Sequence, residues 1–332
     1  MGQDIERMYA GARIVIAKWV CLKPWENLLI VTCDTHITEA RMLKSCAARC
    51  GAQADLMIVE KKGIHVGIFF DQNPNIFDGY KAIISATDYS TVTTRAAKRA
   101  IKRGGKFLSL PLLTNDKRSL LEYRFLRMDT RKSKMMAQVI MKYLNDSVVI
   151  RVKTKAGTDL CFYKQNRTAG FFNGNVRDGK RYSSASFEAY VPIEESKTEG
   201  IMIIDGSLGY IGGLQEAVRL EFHEGKINGI QRNYDGLRLQ QYLDSYHDMN
   251  MNVASELGIG LNSYARCQGN SYIEDESAYG TFHIGFGRNI ALGGVHEAKG
   301  HFDVVGRAPD IYADNRMIMQ EGRIIIPEMQ IY

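Results

Sequence analysis

The chain opens with apolar and polar positions in helical spacing, then alternates such stretches with short apolar runs. Residues 5–20 carry the amphipathic pattern of a helix. Asn27-Leu-Leu-Ile-Val-Thr-Cys33 follows as an apolar run between polar flanks, as a strand buried on both faces would show. Asp34 to Thr38 supplies turn and cap chemistry. Glu39 to Cys50 predicts a helix that stops at Gly51, and Ala54 to Val59 the next strand. Lys81 to Ser85, Thr91 to Arg103 and Lys106 to Leu110 repeat the order strand, helix, strand. This alternation predicts a doubly wound parallel sheet with right-handed crossovers. Such sheets gather ligands at the carboxyl ends of their strands, which here carry Asp34, Thr35, His36, Thr87 and Asp88. These residues read either as plain turns or as the lining of a cleft against a second domain.

Ser119 to Leu144 predicts a basic connecting helix, and from Ser147 the period changes. Val148–Val152, Asp159–Tyr163, Gly200–Asp205 and Ala217–Phe222 are short β-type runs, punctuated by turn pairs such as Asn173-Gly174 and Glu224-Gly225. Leu237–Ser245 and Met251–Leu257 predict short helices. The expectation is an α/β domain over 1–146 and a mostly β (α+β) metal-binding domain over 147–332, the latter a curved sheet or partial barrel.

Composition narrows the function classes. A chain of 332 residues suits two domains, and 45% apolar with 24% charged residues is ordinary for a folded protein. The net charge of +6 is too mild to argue for nucleic acid, and the basic run from Arg95 to Lys106 has the spacing of a solvated helix face. No phosphate-cradling glycine motif occurs, so no nucleotide is expected. No apolar run reaches the roughly 18 residues of a membrane span, and the polar start does not resemble a signal peptide. Six cysteines without a C-x-x-C pair read as reduced thiols, and Cys46 and Cys50 as packed on one helix face. A cytoplasmic location follows as the expectation.

The chemistry concentrates late in the chain. Of seven histidines, His283, His296 and His301 fall within one short stretch rich in glycine. His301 and Asp303 stand at i and i+2, which in a strand share a face, so imidazole and carboxylate converge on one cation. His283 lies on another predicted strand beside the small residues Thr281 and Gly285. Two imidazoles with carboxylates suit Zn²⁺, Fe²⁺, Mn²⁺ or Co²⁺ better than Mg²⁺ or Ca²⁺. Arg288 is a candidate for holding a substrate carboxylate. His296-Glu297 reads as loop or as a donor behind the ligands, and Tyr264, Tyr272 and Tyr279 as packing residues near the site or as the source of a phenol.

Ser255-Glu256-Leu-Gly-Ile-Gly-Leu-Asn262, Asp275-Glu276, Gly280-Thr-Phe-His283-Ile-Gly-Phe-Gly, His301-Phe-Asp303 and Phe187-Glu188-Ala-Tyr-Val-Pro192 together resemble signatures of the aminopeptidase T and aminopeptidase S metallopeptidases. The resemblance implies one or two divalent ions (Zn, Co or Mn) on Glu188, Glu256, His283, His301 and Asp303. It also implies a general base among Glu188, Glu256 and Glu276, a peptide or small-molecule substrate, and a homodimer. The expected activity is aminopeptidase-type hydrolysis by a metal-activated water. Two departures stand against it. The family's tyrosine seven residues after the first histidine is replaced by Ile290, and the spacing from His283 to His301 is short. The short spacing is similar to that of relatives resembling 2,5-dihydroxypyridine 5,6-dioxygenase, which implies a mononuclear Fe(II) ring-cleaving enzyme using His283, His301 and Asp303. A third expectation is a degenerate binding or assembly protein of the same fold.

Overall fold

The computed structural model describes residues 2–60, 63–179 and 182–329. Two compact units form, Met1–Thr130 with Phe172–Ser186, and Arg131–Phe171 with Phe187–Tyr332. The chain therefore crosses between units three times rather than once near residue 146. The long helix goes with the second unit, and a later strand returns to extend the first unit's sheet.

The first unit holds α1 (Gly2–Arg13), which widens into a π-helical segment Ile14–Val20, then β1 (Asn27–Thr32), α2 (Ile37–Arg49), β2 (Gln53–Ile58), α3 (Val66–Gln72), β3 (Ala82–Ala86), α4 (Arg95–Lys102) and β4 (Lys106–Ser109). The α/β architecture expected from the sequence is what forms. β2, β1, β3 and β4 pair in parallel in that order. β3 and β4 are buried along their whole length, as inner strands of a parallel sheet are. Leu29, Val31, Phe70, Phe77, Ile83 and Phe107 form the core on one face of the sheet, with the alanines of α4 packed on it. Thr94 caps α4 by accepting from the Ala97 N–H.

The expected connecting helix from Ser119 is shorter. Ser119 and Glu122 form a capping box over a single 3₁₀ turn, a second such turn follows at Arg124–Arg127, and α5 (Thr130–Asp146) begins only after Asp129.

The remaining strands, in chain order, are β5 (Val149–Lys153), β6 (Asp159–Tyr163), β7 (Gly170–Phe172), β8 (Tyr182–Ser184), β9 (Glu188–Pro192), β10 (Glu199–Ile204), β11 (Val218–His223), β12 (Lys226–Ile230), β13 (Ala254–Gly260), β14 (Thr281–Gly287), β15 (His301–Arg307), β16 (Asp310–Ala313), β17 (Arg316–Gln320) and β18 (Arg323–Ile324). α6 (Tyr234–Asp244) and α7 (Tyr272–Ser277) complete the helices. β8 joins the parallel sheet beside β4. An eight-stranded sheet runs β12-β11-β10-β6-β5-β16-β17-β18, and a five-stranded sheet runs β15-β14-β13-β9-β7.

These two sheets have different faces. β5 and β11 alternate buried with exposed positions, as strands with one wet face do. β9, β13 and β14 are buried at every position. Any polar side chain on them lies inside the protein and needs a partner. The helix expected at Met251–Leu257 is absent. A short 3₁₀ turn, Met249–Asn252, leads into β13, which pairs with β9 on one side and β14 on the other. Two full ladders outweigh a local helical preference in Ser-Glu-Leu. All six cysteines are free. Among the described residues, no helix is long and apolar enough to cross a membrane.

Candidate metal centre

Strand register assembles the site. Across the ladders Glu188 stands opposite Gly260, His283 opposite Gly258, Glu256 and Asp303 opposite Gly285, and His301 opposite Gly287. Each of the five polar residues thus faces a glycine on a neighbouring strand, and alternation places all five on one face of the sheet. The glycines make the room. A Cβ at Gly258 would lie 1.9 Å from His283 Nε2, and one at Gly285 would lie 2.8 Å from Asp303 Oδ1 and from His301 Cε1. The interleaved sequences Glu256-Leu-Gly258-Ile-Gly260 and His283-Ile-Gly285-Phe-Gly287 encode this arrangement.

Glu188, Glu256, His283, His301 and Asp303, the five residues expected to meet, do meet. Glu188, Glu256 and His283 offer one atom each within 4.8 Å of one another, as do Glu256, His301 and Asp303, so Glu256 links the two groups. His283 Nε2 is 2.8 Å from Glu188 Oε2. His301 Nε2 is 2.9 Å from Glu256 Oε2 and 3.2 Å from Asp303 Oδ1. All but His301 are almost fully buried. His301 Nδ1 lies 2.9 Å from the Arg288 carbonyl, which can only accept, so Nδ1 carries a proton and Nε2 is turned to the cluster.

The electrostatics of this pocket favour positive charge. Burial alone would depress His283, but Glu188 lifts it to about 9. Burial likewise opposes the charged form of His301, yet Asp303 and Glu256 raise it well above the ordinary imidazole value. Burial would raise Asp303, and His301 instead holds it at about 2. Glu256 is raised by burial. Glu276, on α7, is pushed well above its ordinary value by burial and by the carboxylates of Glu188, Asp303 and Glu256. Its Oε2 is buried without a hydrogen-bond partner among the described residues. Three ligand carboxylates with two imidazoles, cradled by glycines, are a donor set that fits a divalent transition metal.

The other expected residues fall as follows. The Arg288 guanidinium is engaged by Glu297 at 2.9 Å, while its backbone carbonyl holds His301. His296 is pinned in the loop by Asn289 and by the Asn250 carbonyl. Ile290 opens a short 3₁₀ turn. A phenol reaches the site from another element: the Tyr272 hydroxyl donates to Asp303 Oδ2, and its ring stacks on Tyr210 with centroids 4.0 Å apart. Tyr264 and Tyr279 are partly exposed. The sequence named Tyr272 as one of three candidates to supply a phenol but could not choose among them, because 31 residues separate it from Asp303, and Tyr210 carried no signal.

Comparison with known proteins defines the family. Residues 83–326 match the family model NicX, 2,5-dihydroxypyridine 5,6-dioxygenase. A 2,5-dihydroxypyridine 5,6-dioxygenase of Pseudomonas putida is 24% identical over 213 residues, covering 60% of each chain. The match thus spans less than two thirds of that relative's length. The solved structure of a 2,5-dihydroxypyridine dioxygenase from Pseudomonas putida KT2440 superposes with a TM-score of 0.79 at 18% identity, covering 97% of both chains. Wild-type AmpT from Thermus thermophilus follows at 0.65 and 14% identity, covering 97% of this chain and 99% of that one. Both show that the fold is shared. The aminopeptidase-type hydrolysis expected above, with its metallopeptidase and hydrolase labels, is overturned by the family match. Both groups share this fold, and the replacement of the peptidase tyrosine by Ile290 and the short spacing from His283 to His301 already stood against the peptidase reading. The chain belongs to the 2,5-dihydroxypyridine 5,6-dioxygenase family.

Proposed function

We propose that this protein is a metal-dependent ring-cleaving dioxygenase acting on a small hydroxylated aromatic ring of the pyridine class. The observation that carries this reading is that the family match, residues 83–326, contains all five clustered donors and Glu276. In this reading His283, His301 and Asp303 hold one ferrous ion, the two-histidine, one-carboxylate set of non-haem iron oxygenases. The bound ion supplies the redox chemistry that lets molecular oxygen react with a closed-shell ring.

The chain's own groups do the rest. The Arg288 carbonyl fixes the His301 ring through Nδ1, and Tyr272 fixes Asp303 through Oδ2, so both ligands are aimed before anything binds. Glu256 Oε2 and Glu188 Oε2 lie beside the imidazoles and are placed to take a proton from a ring hydroxyl. Glu276, whose proton is held more tightly through burial and its carboxylate neighbours, would return one through Oε2 as the ring opens. Arg288 contributes through its carbonyl, with its guanidinium on Glu297 rather than reserved for a substrate carboxylate. The homodimer implied by the resemblance is kept within this proposal and is read by sedimentation.

The test uses the full chain loaded anaerobically with ferrous iron, then given 2,5-dihydroxypyridine and isotopically labelled oxygen. One oxygen molecule is consumed per ring, and both labelled atoms appear in an acyclic product. Stoichiometric iron with no oxygen uptake on this ring or its hydroxylated analogues would overturn the reading.

A further inference from the structure

A second cluster of ligand-type side chains lies in the first unit, at the carboxyl end of its parallel sheet. Sheet order β2-β1-β3-β4 means that the chain leaves β1 toward one edge and β3 toward the other. The topological switch point, where open α/β sheets bind ligands, is therefore between β1 and β3. Cys33 and His36 follow β1, and Thr87 and Asp88 follow β3, whose pairing with β1 runs through Thr32 and Ala86.

Local geometry brings the donors together. Asp34–His36 is a 3₁₀ turn, with the His36 N–H donating to the Cys33 carbonyl at 3.1 Å. Cys33 is the N-cap of this turn, in extended backbone, and His36 is its last residue, so the turn folds the two back toward each other. His36 Nε2 is 2.7 Å from Asp88 Oδ1. One atom each from Cys33, His36 and Asp88 lies within 4.8 Å of the other two. Cys33 is 3% and Asp88 5% exposed, and His36 is half-buried. Thr35 Oγ1 sits 3.1 Å from Cys33 Sγ and 3.4 Å from Asp88 Oδ1. A small recess with about 10 Å³ of space for a water, lined by Cys33, Val66, Thr87, Asp88 and Tyr89, opens beside them.

We propose that Cys33, His36 and Asp88 form a second metal site, selective for a borderline-soft divalent ion such as Zn²⁺, with a fourth position opening into the recess. Thiolate, imidazole and carboxylate are all zinc ligands. Thiolate and carboxylate bring two negative charges that one Zn²⁺ cancels, whereas the iron-type cluster in the five-stranded sheet has no sulfur at all. Zinc bond lengths of about 2.0–2.3 Å place tetrahedral donors roughly 3.5 Å apart, so small side-chain shifts convert the present cluster into a coordination shell. An ion held by three protein ligands keeps a position for a water, and the recess offers about 10 Å³, roughly the space one water needs.

The test is a Co²⁺ titration of the full chain. A thiolate ligand gives a near-ultraviolet sulfur-to-cobalt charge-transfer band, which donors of nitrogen and oxygen alone cannot give. The band is expected in the wild type, and Zn²⁺ should bleach it. Cys33→Ser should abolish it, and Cys161→Ser on β6 should leave it unchanged. His36→Gln and Asp88→Asn should each weaken Co²⁺ binding by about tenfold or more. Far-ultraviolet circular dichroism confirms that each variant is folded. Should Cys33→Ser fail to fold, the two milder variants decide the matter. Absence of the band from the wild type, its survival in Cys33→Ser, or unchanged affinity in both milder variants would each overturn the proposal.

Discussion

In the parallel-sheet unit the buried Glu26 carboxylate meets the Lys106 ammonium at 2.6 Å, and the partly exposed Asp78 meets Arg99 at the same distance. In the five-stranded sheet the buried carboxylates of Glu188, Glu256 and Asp303 meet imidazoles. The first arrangement closes its charge account with permanent cations and is structural. The second balances acids against groups that are cationic only when protonated, so it holds a field ready for an exchangeable cation. Buried acids by themselves therefore do not mark a site; what they are paired with does.

The largest effect should come from breaking the permanent pair. Among the described residues, Lys106→Met leaves the buried Glu26 carboxylate with only the Lys23 N–H and should cost about 3–5 kcal/mol of stability. Denaturant unfolding should show the same loss with metal or with chelator. A chelator-dependent loss would erase the contrast between the two regions.

His301→Ala is the matching change on the other side. It should lower activity by more than about 100-fold, since even outer partners of a metal ligand cost about 10–100-fold. Metal content should fall with it, and the melting temperature should cease to depend on added ferrous iron, because a ligand stabilises only the state that binds it. Retained metal with retained iron-dependent stabilisation would show that the five donors do not act together.

How much of this contrast could be read in the sequence follows from how local each feature is. That His301 and Asp303 share a face was legible because two side chains at i and i+2 of a strand need no knowledge of the fold. The alternating glycines after Glu256 and His283 were visible, but their partnership across the ladder was not, since register is a tertiary property. Glu256 fell in a segment with helical propensity, and only pairing on both edges makes β13 a strand. α3, which no expectation covered, spans only Val66–Gln72, too few residues to display a period. Asp88 joins Cys33 and His36 from across an intervening α/β unit, so those turns carried no local mark of a ligand set.

Tyr272→Phe sharpens the comparison at smaller amplitude. The variant keeps the ring and its stack on Tyr210 but removes the hydroxyl that holds Asp303. Iron affinity should fall by about 10–100-fold while the melting temperature of the metal-free chain changes little. The Lys106–Glu26 region should not respond. A stability loss without a change in iron affinity would make this tyrosine structural.

The smallest effect concerns Asp275, a buried acid that among the described residues joins no close salt bridge and none of the ligand-type clusters. Its Oδ1 accepts the backbone N–H groups of Gln268 and Gly269, at 2.8 and 3.0 Å. Burial nevertheless raises its carboxyl from 3.8 to about 6. The native state therefore holds this proton more tightly than the unfolded chain. Its favourable contribution is full below pH 3.8 and is lost as pH rises through about 6. At about 1.4 kcal/mol per unit, the ionised form costs at most about 3 kcal/mol at neutral pH. Asp275→Asn keeps the accepting oxygen and removes that cost. It also buries an amide that can be left unsatisfied, at about 1–3 kcal/mol. The net change at pH 7 should be small, while this residue's share of the stability slope between pH 4 and 6 should disappear from denaturant unfolding. The Lys106–Glu26 and His301 regions should keep their own responses in this background. An unchanged slope would mean that Asp275 is ionised in the fold, with the two N–H groups meeting its full charge.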